Sequence, residues 1–299
     1  MDVQSNRVLV TGGRGFIGRA VVKLLQGSGD GVVSLDAAPG PSSSAGRHEV
    51  ECDITDVRQL QRVFEIEPIG GIIHLAAILP TAAQREPARA TEVNVEGSLH
   101  LLEMGRRFGV RRFVFGSSLS VYGTCPDDHV VSEADRAAPE DLYGAAKLYV
   151  EQLGAAYDGL EFVSLRIGRV VGCGARSASS AWRSQIFELL TSKHTAEIAM
   201  PYLGSERLLL VHVDDVAKML VAVLQATRPA HAVYNAACES VVVADLKCAV
   251  ESLNTNIRVE LGEAQALGNP RLLDCSRLQR EFGFQTLPIF EQLRGAAGK

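Results

Sequence analysis

The stretch RVLVTGGRGFIGRAVVKLLQ, residues 7–26, limits the fold more than any other part of the chain. A short apolar run ends at Thr11, glycines follow at Gly12, Gly15 and Gly18, and an apolar pattern at helical spacing continues to Gln26. Glycine lets a backbone turn sharply and come close to a pyrophosphate. The helix N-terminus behind such a turn presents unbonded N–H groups and the positive end of the helix dipole. Glycines also simply make turns, and it is the position between strand and helix that gives this triplet its meaning. The spacing predicts a strand, a phosphate-binding turn and a helix, with Gly12, Gly15, Phe16, Ile17 and Gly18 as candidate contacts.

The next apolar run, GVVSLD, ends at Asp36, where an acidic residue accepts hydrogen bonds from the adenosine ribose hydroxyls of a dinucleotide. A carboxylate there repels a 2′-phosphate, which favours NAD. Arg14, inside the glycine turn, is the opposing sign, because a guanidinium there reaches such a phosphate. Asp36 also reads as a plain strand-end turn residue. Strand and helix patterns go on alternating through RHEVECD, a helix from Thr55, GGIIHLAA, a helical run from about Glu86 to Phe108, and RRFVFGSS. This order predicts a parallel sheet covered on both faces, a doubly wound α/β fold, with ligands at the carboxyl ends of the strands. Asp53, Leu75, Ala76, Ala77, Ser117 and Ser118 fall at such ends.

In DLYGAAKLYVEQL, residues 141–153, Tyr143 and Lys147 stand four apart and share one face of a helix. A nearby ammonium favours phenolate and makes a phenol usable as a general base. The alternative is a solvated lysine beside an interfacial tyrosine. The chain has 299 residues with a net charge of −5 and a pI near 5.8, which leaves no basic field for nucleic acid or anionic lipid. Its 46% hydrophobic and 22% charged residues suit a globular protein. Six cysteines without a close pair suggest neither a zinc site nor a disulfide framework, so no metal is expected and the thiols read as reduced and cytoplasmic. The opening MDVQSNRVLVTGG lacks the regions of a signal peptide, and no apolar run reaches membrane-spanning length.

The fragments TGGRGFIG, CDITD, HLAA, NVEGSLHLLE, FVFGSSLSVYG and YGAAK occur in that order between residue 7 and about 172. Together they resemble the extended short-chain dehydrogenase/reductase family, the branch of NAD-dependent epimerases and dehydratases. Beyond residue 172 the resemblance is confined to RLLLVHVDDVA and SRLQREFGF. It implies a Rossmann domain over 1–171, rejoined by 206–239, and a small substrate-binding lobe from 172–205 and 240–299. It implies that Asp53 and Ile54 flank the adenine, that Leu75, Ala76 and Ala77 border phosphates and ribose, and that Asn94 orders the sheet end beneath the nicotinamide. Tyr143 then acts as general base or acid on the substrate hydroxyl. Lys147 binds the nicotinamide ribose and lowers the phenol pKa, and Ser118, with Ser120 nearby, bonds the substrate oxygen. A homodimer is implied as well, through a four-helix bundle of residues 86–108 and 141–157, with Leu99, Leu102, Leu148 and Leu153 as apolar positions.

Other readings stand beside these. Ser117, Ser118 and Ser120 also suit a strand-end turn that satisfies its own backbone. His74, in an apolar strand, reads as a hydrogen-bonded core histidine. His212, beside Asp214 and Asp215, invites a metal or relay role, but reads better as the cap of a helix beginning near Val213. The 4,6-dehydratases of the family carry an acid pair where this chain has Leu119 and Ser120, which disfavours elimination of water. Epimerisation or net hydride transfer remains. Arg169 stands where many nucleotide-sugar enzymes have asparagine, Arg207 is displaced by one residue, and GEAQALGNPRLLD lacks the doubled-arginine phosphate clamp. Arg169, Arg176, Arg183 and Arg207 are candidates for a fork around a carboxylate or single phosphate. HLAAILPTAAQREP resembles the corresponding loop of threonine and sugar-acid dehydrogenases. The first expectation is an NAD-dependent sugar epimerase, with a nucleotide-linked small molecule as substrate. The second is a dehydrogenase or ketoreductase on a sugar acid or hydroxy amino acid. A noncatalytic NAD-binding scaffold is the third, and the intact Ser118, Tyr143 and Lys147 argue against it.

Overall fold

Val8 and Val10 point to one side of the first strand and Leu9 to the other, and all three are buried in separate core clusters. A strand covered on both faces needs helices on both, which is what the computed structural model contains; it describes residues 7–38, 49–175 and 180–299. The chain begins with β1 (Arg7–Thr11), α1 (Phe16–Gly27), β2 (Val32–Asp36), β3 (Glu49–Glu51), α2 (Val57–Ile66) and β4 (Ile69–His74). Next come α3 (Pro80–Arg85), α4 (Pro87–Thr91), a π-helical turn over Glu92–Glu96 and α5 (Gly97–Arg107). β5 (Arg112–Ser118) leads through a 3-10 turn, Leu119–Val121, to β6 (Val130–Val131), α6 (Leu142–Ala155) and β7 (Glu161–Ile167). The rest comprises β8 (Arg169–Val171), α7 (Trp182–Glu188), β9 (Ala196–Tyr202), β10 (Arg207–His212), α8 (Val213–Gln225), β11 (Val233–Asn235) and β12 (Glu239–Val242). It ends with α9 (Val243–Leu253), β13 (Ile257–Ala264), β14 (Leu272–Leu273), α10 (Ser276–Phe282) and α11 (Ile289–Ala296).

Seven strands form one parallel sheet in the order β11-β7-β5-β4-β1-β2-β3. The chain runs outward from β1 to β3 and then returns to the other side through β4, so the crossovers diverge between β1 and β4. In a doubly wound sheet this opens a crevice at the carboxyl ends. α1 and α8 cover one face through Val21, Leu25, Val216 and Leu220. α2, α5 and α6 cover the other through Leu60, Phe64, Leu101, Leu102 and Val150. Leu102 is fully buried and Leu153 packs against the same core, so these two face their own sheet and not a partner. Leu99 and Leu148 are half-buried. The exposed large apolar side chains of α6 are instead Leu142 and Tyr149.

A second core holds the C-terminal elements together. Trp182, Ile186 and Phe187 of α7 pack with Ile198, Met200, Leu208, Leu246, Val259 and Leu293. Around it lie the three-stranded sheet β12-β10-β8 and the parallel pair β9/β13. Within 206–239, α8 and β11 join the large sheet, while β10 pairs with β8 and β12. None of the described helices is long and apolar enough to cross a membrane.

Candidate active site

The glycine turn leaves no room for side chains. Gly12 has φ +65°, and a Cβ there would lie 2.8 Å from the Ala76 nitrogen. A Cβ on Gly18 would collide with the Gly12 carbonyl. Gly15 caps α1 without any side-chain bond, so the first-turn N–H groups of Phe16, Ile17 and Gly18 receive no cap from a side chain. The side chains of Phe16 and Ile17 pack against the core. Asp36, at the end of β2, accepts from the Arg14 and Ala38 backbone N–H groups at 3.1 Å each. The Arg14 guanidinium bonds the Ala38 carbonyl and pairs with Glu49 at 3.2 Å. The cation that argued for a 2′-phosphate therefore already has an acidic partner.

A chain of buried bonds ties this turn to the next strand ends. Thr11 Oγ1 accepts from the Leu75 and Ala76 N–H groups at 3.2 and 3.3 Å and lies 2.6 Å from His74 Nδ1. His74 Nε2 lies 2.9 Å from Ser98 Oγ, which donates to the Asn94 carbonyl at 2.7 Å. Because the Ser98 proton is committed, Nε2 must donate to Ser98, and Nδ1 accepts from Thr11. Burial accordingly pushes the His74 pKa down to about 3, with the charge of Lys147 adding to the effect. The core reading of His74 holds. Asn94, turned inward by the π-helical turn, accepts from the Ile78 N–H at 2.7 Å and donates to its carbonyl at 2.9 Å, fixing the loop after β4. Asp53 accepts from Thr55 and Arg89. Burial raises its carboxyl, but these bonds outweigh it and hold the pKa below the ordinary value. Ile54 is buried beneath α5 with its carbonyl against His100 Nδ1 at 3.1 Å, so its side chain belongs to the core.

The residues expected to transfer protons lie at the end of β5 and on α6. Ser118 Oγ accepts from the Ser120 N–H at 3.1 Å and from the Ser120 hydroxyl at 2.9 Å. Its own proton is thereby left for a third partner. Tyr143 and Lys147 lie one turn apart on α6, which Asp141 caps by accepting from the Gly144 N–H at 2.6 Å. Lys147 is buried; its Nζ donates to the Gly116 carbonyl at 2.7 Å, lies 4.4 Å from the Phe115 ring centroid and 5.5 Å from that of Tyr143. Burial lowers its pKa to about 7, against the charge of Glu151. Burial drives the Tyr143 phenol well above its ordinary value, Asp141 adds to this, and the positive charge of Arg183 works against it.

Glu151, one further turn along α6, escaped the sequence reading although the same spacing of four leads to it. It accepts from Ser117 at 2.6 Å and from Arg166 Nη2 and Nε at 2.6 and 3.0 Å. Arg166 lies 4.7 Å from the Tyr122 ring centroid, and its Nη1 is buried without a partner among the described residues. Of the substrate candidates, Ser120 is buried beside Ser118. Arg169 opens β8 with its guanidinium 5.6 Å from the Tyr202 ring centroid. Arg207 is exposed at the start of β10, opposite Val242, and Leu208 takes the buried position after it. Arg176 lies outside the described residues. His212 caps α8, its Nδ1 accepting from the Asp214 N–H at 3.3 Å, as its helix-cap reading requires.

The chain is 35% identical over 174 residues to a UDP-glucose 4-epimerase of Lacticaseibacillus casei, covering 55% of this chain and 52% of that protein. It is 30% identical over 168 residues to a uronate dehydrogenase of Pseudomonas putida, covering 54% and 60%. The chain spans about half the length of the curated relatives it matches. The solved structure of MoeE5 in complex with UDP-glucuronic acid and NAD aligns at 29% identity and a TM-score of 0.79, covering 96% of each chain. The pattern of the NAD dependent epimerase/dehydratase family matches residues 8–260. With the glycine turn after β1 and the seven-stranded parallel sheet, that match places the chain in the NAD-dependent epimerase/dehydratase family.

Proposed function

We propose that the chain is a cytoplasmic, homodimeric, NAD-dependent sugar epimerase that oxidises and re-reduces one secondary alcohol of a nucleotide-linked sugar. The observation that carries this reading is Lys147 of α6 bonded to the Gly116 carbonyl of β5, with Tyr143 one turn before it on α6 and Ser118 closing the same strand, on the parallel sheet whose first strand leads into the glycine turn. NAD would be held by the backbone of Gly12, Gly15, Phe16, Ile17 and Gly18, by Asp36 at the ribose, by Asp53 and the Ile54 backbone beside the adenine, and by Leu75, Ala76, Ala77, Asn94 and Lys147 further along. When bound, NAD supplies the hydride acceptor and donor. Tyr143 takes the carbinol O–H proton as the C–H bond breaks and the carbonyl forms, and returns it when the carbonyl is reduced. Ser118 donates its free proton to the same substrate oxygen. Arg183 brings positive charge to bear on the Tyr143 phenol against the burial that raises it, and Lys147 is assigned to the nicotinamide ribose. Similarity to UDP-glucose 4-epimerases supports the epimerase reading.

A second reading, net oxidation of a sugar acid, draws support from the uronate dehydrogenase similarity and from Arg169 at the position of the usual asparagine. Incubating the purified chain with NAD and UDP-glucose, UDP-glucuronic acid or free glucuronate separates the two. An epimer without net NADH means epimerase, and stoichiometric NADH means dehydrogenase. NAD binding with no conversion of any of these sugars would leave a dehydrogenase on a hydroxy amino acid or a noncatalytic scaffold. Tyr143→Phe is expected to reduce turnover about 10²- to 10⁴-fold with NAD affinity nearly unchanged. Turnover within a few-fold of the wild type would remove Tyr143 from this role.

A further inference from the structure

Contacts from successive turns of α6 hold it against the end of β5. Gly144, directly after Tyr143, lets the helix backbone come close to the turn that follows β5, for a Cβ there would lie 2.6 Å from the Ser120 carbonyl. Lys147 donates to the Gly116 carbonyl at 2.7 Å, and Glu151 accepts from Ser117 Oγ at 2.6 Å. Glu151 also takes Nε and Nη2 of Arg166, at 3.0 and 2.6 Å, as a fork from β7, where Arg166 stands opposite Ser117 in the strand register. The guanidinium then lies 4.7 Å from the Tyr122 ring centroid, and the Tyr122 hydroxyl donates to Asn235 Oδ1 of β11 at 2.8 Å. Ser117 and Tyr122 flank the stretch that carries Ser118 and Ser120, so one ion pair grips it at both ends.

Stability alone is a poor reason for such a pair. Glu151 and Arg166 are each only 6% exposed, and Arg166 Nη1 is buried without a hydrogen-bond partner among the described residues. So is Ser164 Oγ, two residues earlier on the same face of β7. Charges taken out of water beside unsatisfied polar atoms often stabilise a core no more than apolar side chains of the same volume. What a guanidinium fork does that Leu or Met cannot is hold its neighbours in one arrangement. We propose that Glu151 and Arg166 are the positioning residues of this site: they bind both ends of the segment 117–122 to α6 and thereby set how the Ser118 hydroxyl stands towards Tyr143.

The effect on turnover rests on the hydride-transfer reading, whereas the grip on the segment does not, and the two are measured separately. Glu151→Gln combined with Arg166→Met removes both charges together; Arg166→Lys keeps the charge but loses the fork and the ring contact. Hydrogen exchange needs neither NAD nor sugar, and in both variants the amides of 118–122 are expected to exchange about 10-fold faster relative to those of α1. An equal change in the two regions reduces the pair to a stability element and overturns the proposal. On whichever of UDP-glucose, UDP-glucuronic acid and glucuronate the wild type converts, kcat is expected to fall about 10- to 100-fold, with KM and NADH affinity held within about threefold. On a Ser118→Ala background the same change should cost less than about threefold, because the hydroxyl it misplaces is gone. The full loss on that background, or an unaltered kcat without it, overturns the proposal as well. A wild type that converts none of these sugars sinks the sugar reading instead, and hydrogen exchange then decides the role of the pair. Should the double variant fail to fold, Arg166→Lys carries both measurements.

Discussion

His74 accepts from Thr11 through Nδ1 and gives its Nε2 proton to Ser98, and protonating Nδ1 would break the first of these bonds inside a dry core. Its folded pKa of about 3 lies below the unfolded value near 6.5, so between these pH values the unfolded chain binds a proton that the folded chain does not. Stability from this group is complete above about pH 6.5 and is lost as the pH falls towards 3, by up to roughly 1.4 kcal/mol per unit. Lys147, lowered to about 7 from 10.5, acts with the same sign in a higher window, and stability rises as the pH climbs from 7 towards 10.5. Melting temperature is therefore expected to increase from pH 5 to pH 9. A His74→Asn variant, less stable throughout, should lose the slope below pH 6.5, and an unaltered slope would show that other groups titrate there.

Helix α6 carries three polar groups inward at intervals of four, Tyr143, Lys147 and Glu151. Tyr143 and Lys147 meet the site, and Glu151 locks the helix to β5 through Ser117 and to β7 through Arg166. Taking one member from a buried ion pair leaves the other charge uncompensated, which costs about 3–5 kcal/mol. Glu151→Gln should lower stability by about 3 kcal/mol, and Arg166→Met added to it should recover part of that loss. Denaturant titration of the single and double variants checks this; additive losses would mean that the pair is not coupled. The same helix shows why the i, i+4 rule finds candidates but not duties. Both the pair proposed for catalysis and the structural acid obey it, and only the partners across the sheet separate them.

For the whole molecule, the outward face of α6 is informative. Leu142, Ala145, Tyr149, Gln152 and Ala156 are exposed at steps of three and four and carry no charge. An uncharged stripe with two large apolar side chains suits a helix packed against a second copy. Light scattering at micromolar concentration should give twice the 32.1 kDa chain mass, and Leu142→Glu combined with Tyr149→Glu should return it to the monomer. A monomeric wild type rejects the dimer. What the sequence determined by itself was what spacing along one element encodes: the strand, glycine turn and helix from Arg7 to Gly27, the strand and helix alternation of the doubly wound sheet, and the shared face of Tyr143 and Lys147. These depend on neighbours within a few residues, where backbone geometry leaves little choice. Tertiary structure alone decided that Glu49 takes the side chain of Arg14 at a separation of 35 residues, that Glu151 answers Arg166, and that Arg169 lies over the Tyr202 ring. It also decided which stripe of each helix the sheet would cover, turning Leu102 of α5 inward and leaving Tyr149 of α6 outside. Charge pairing and the choice of a buried face depend on which elements arrive side by side, and no periodicity along the chain records that.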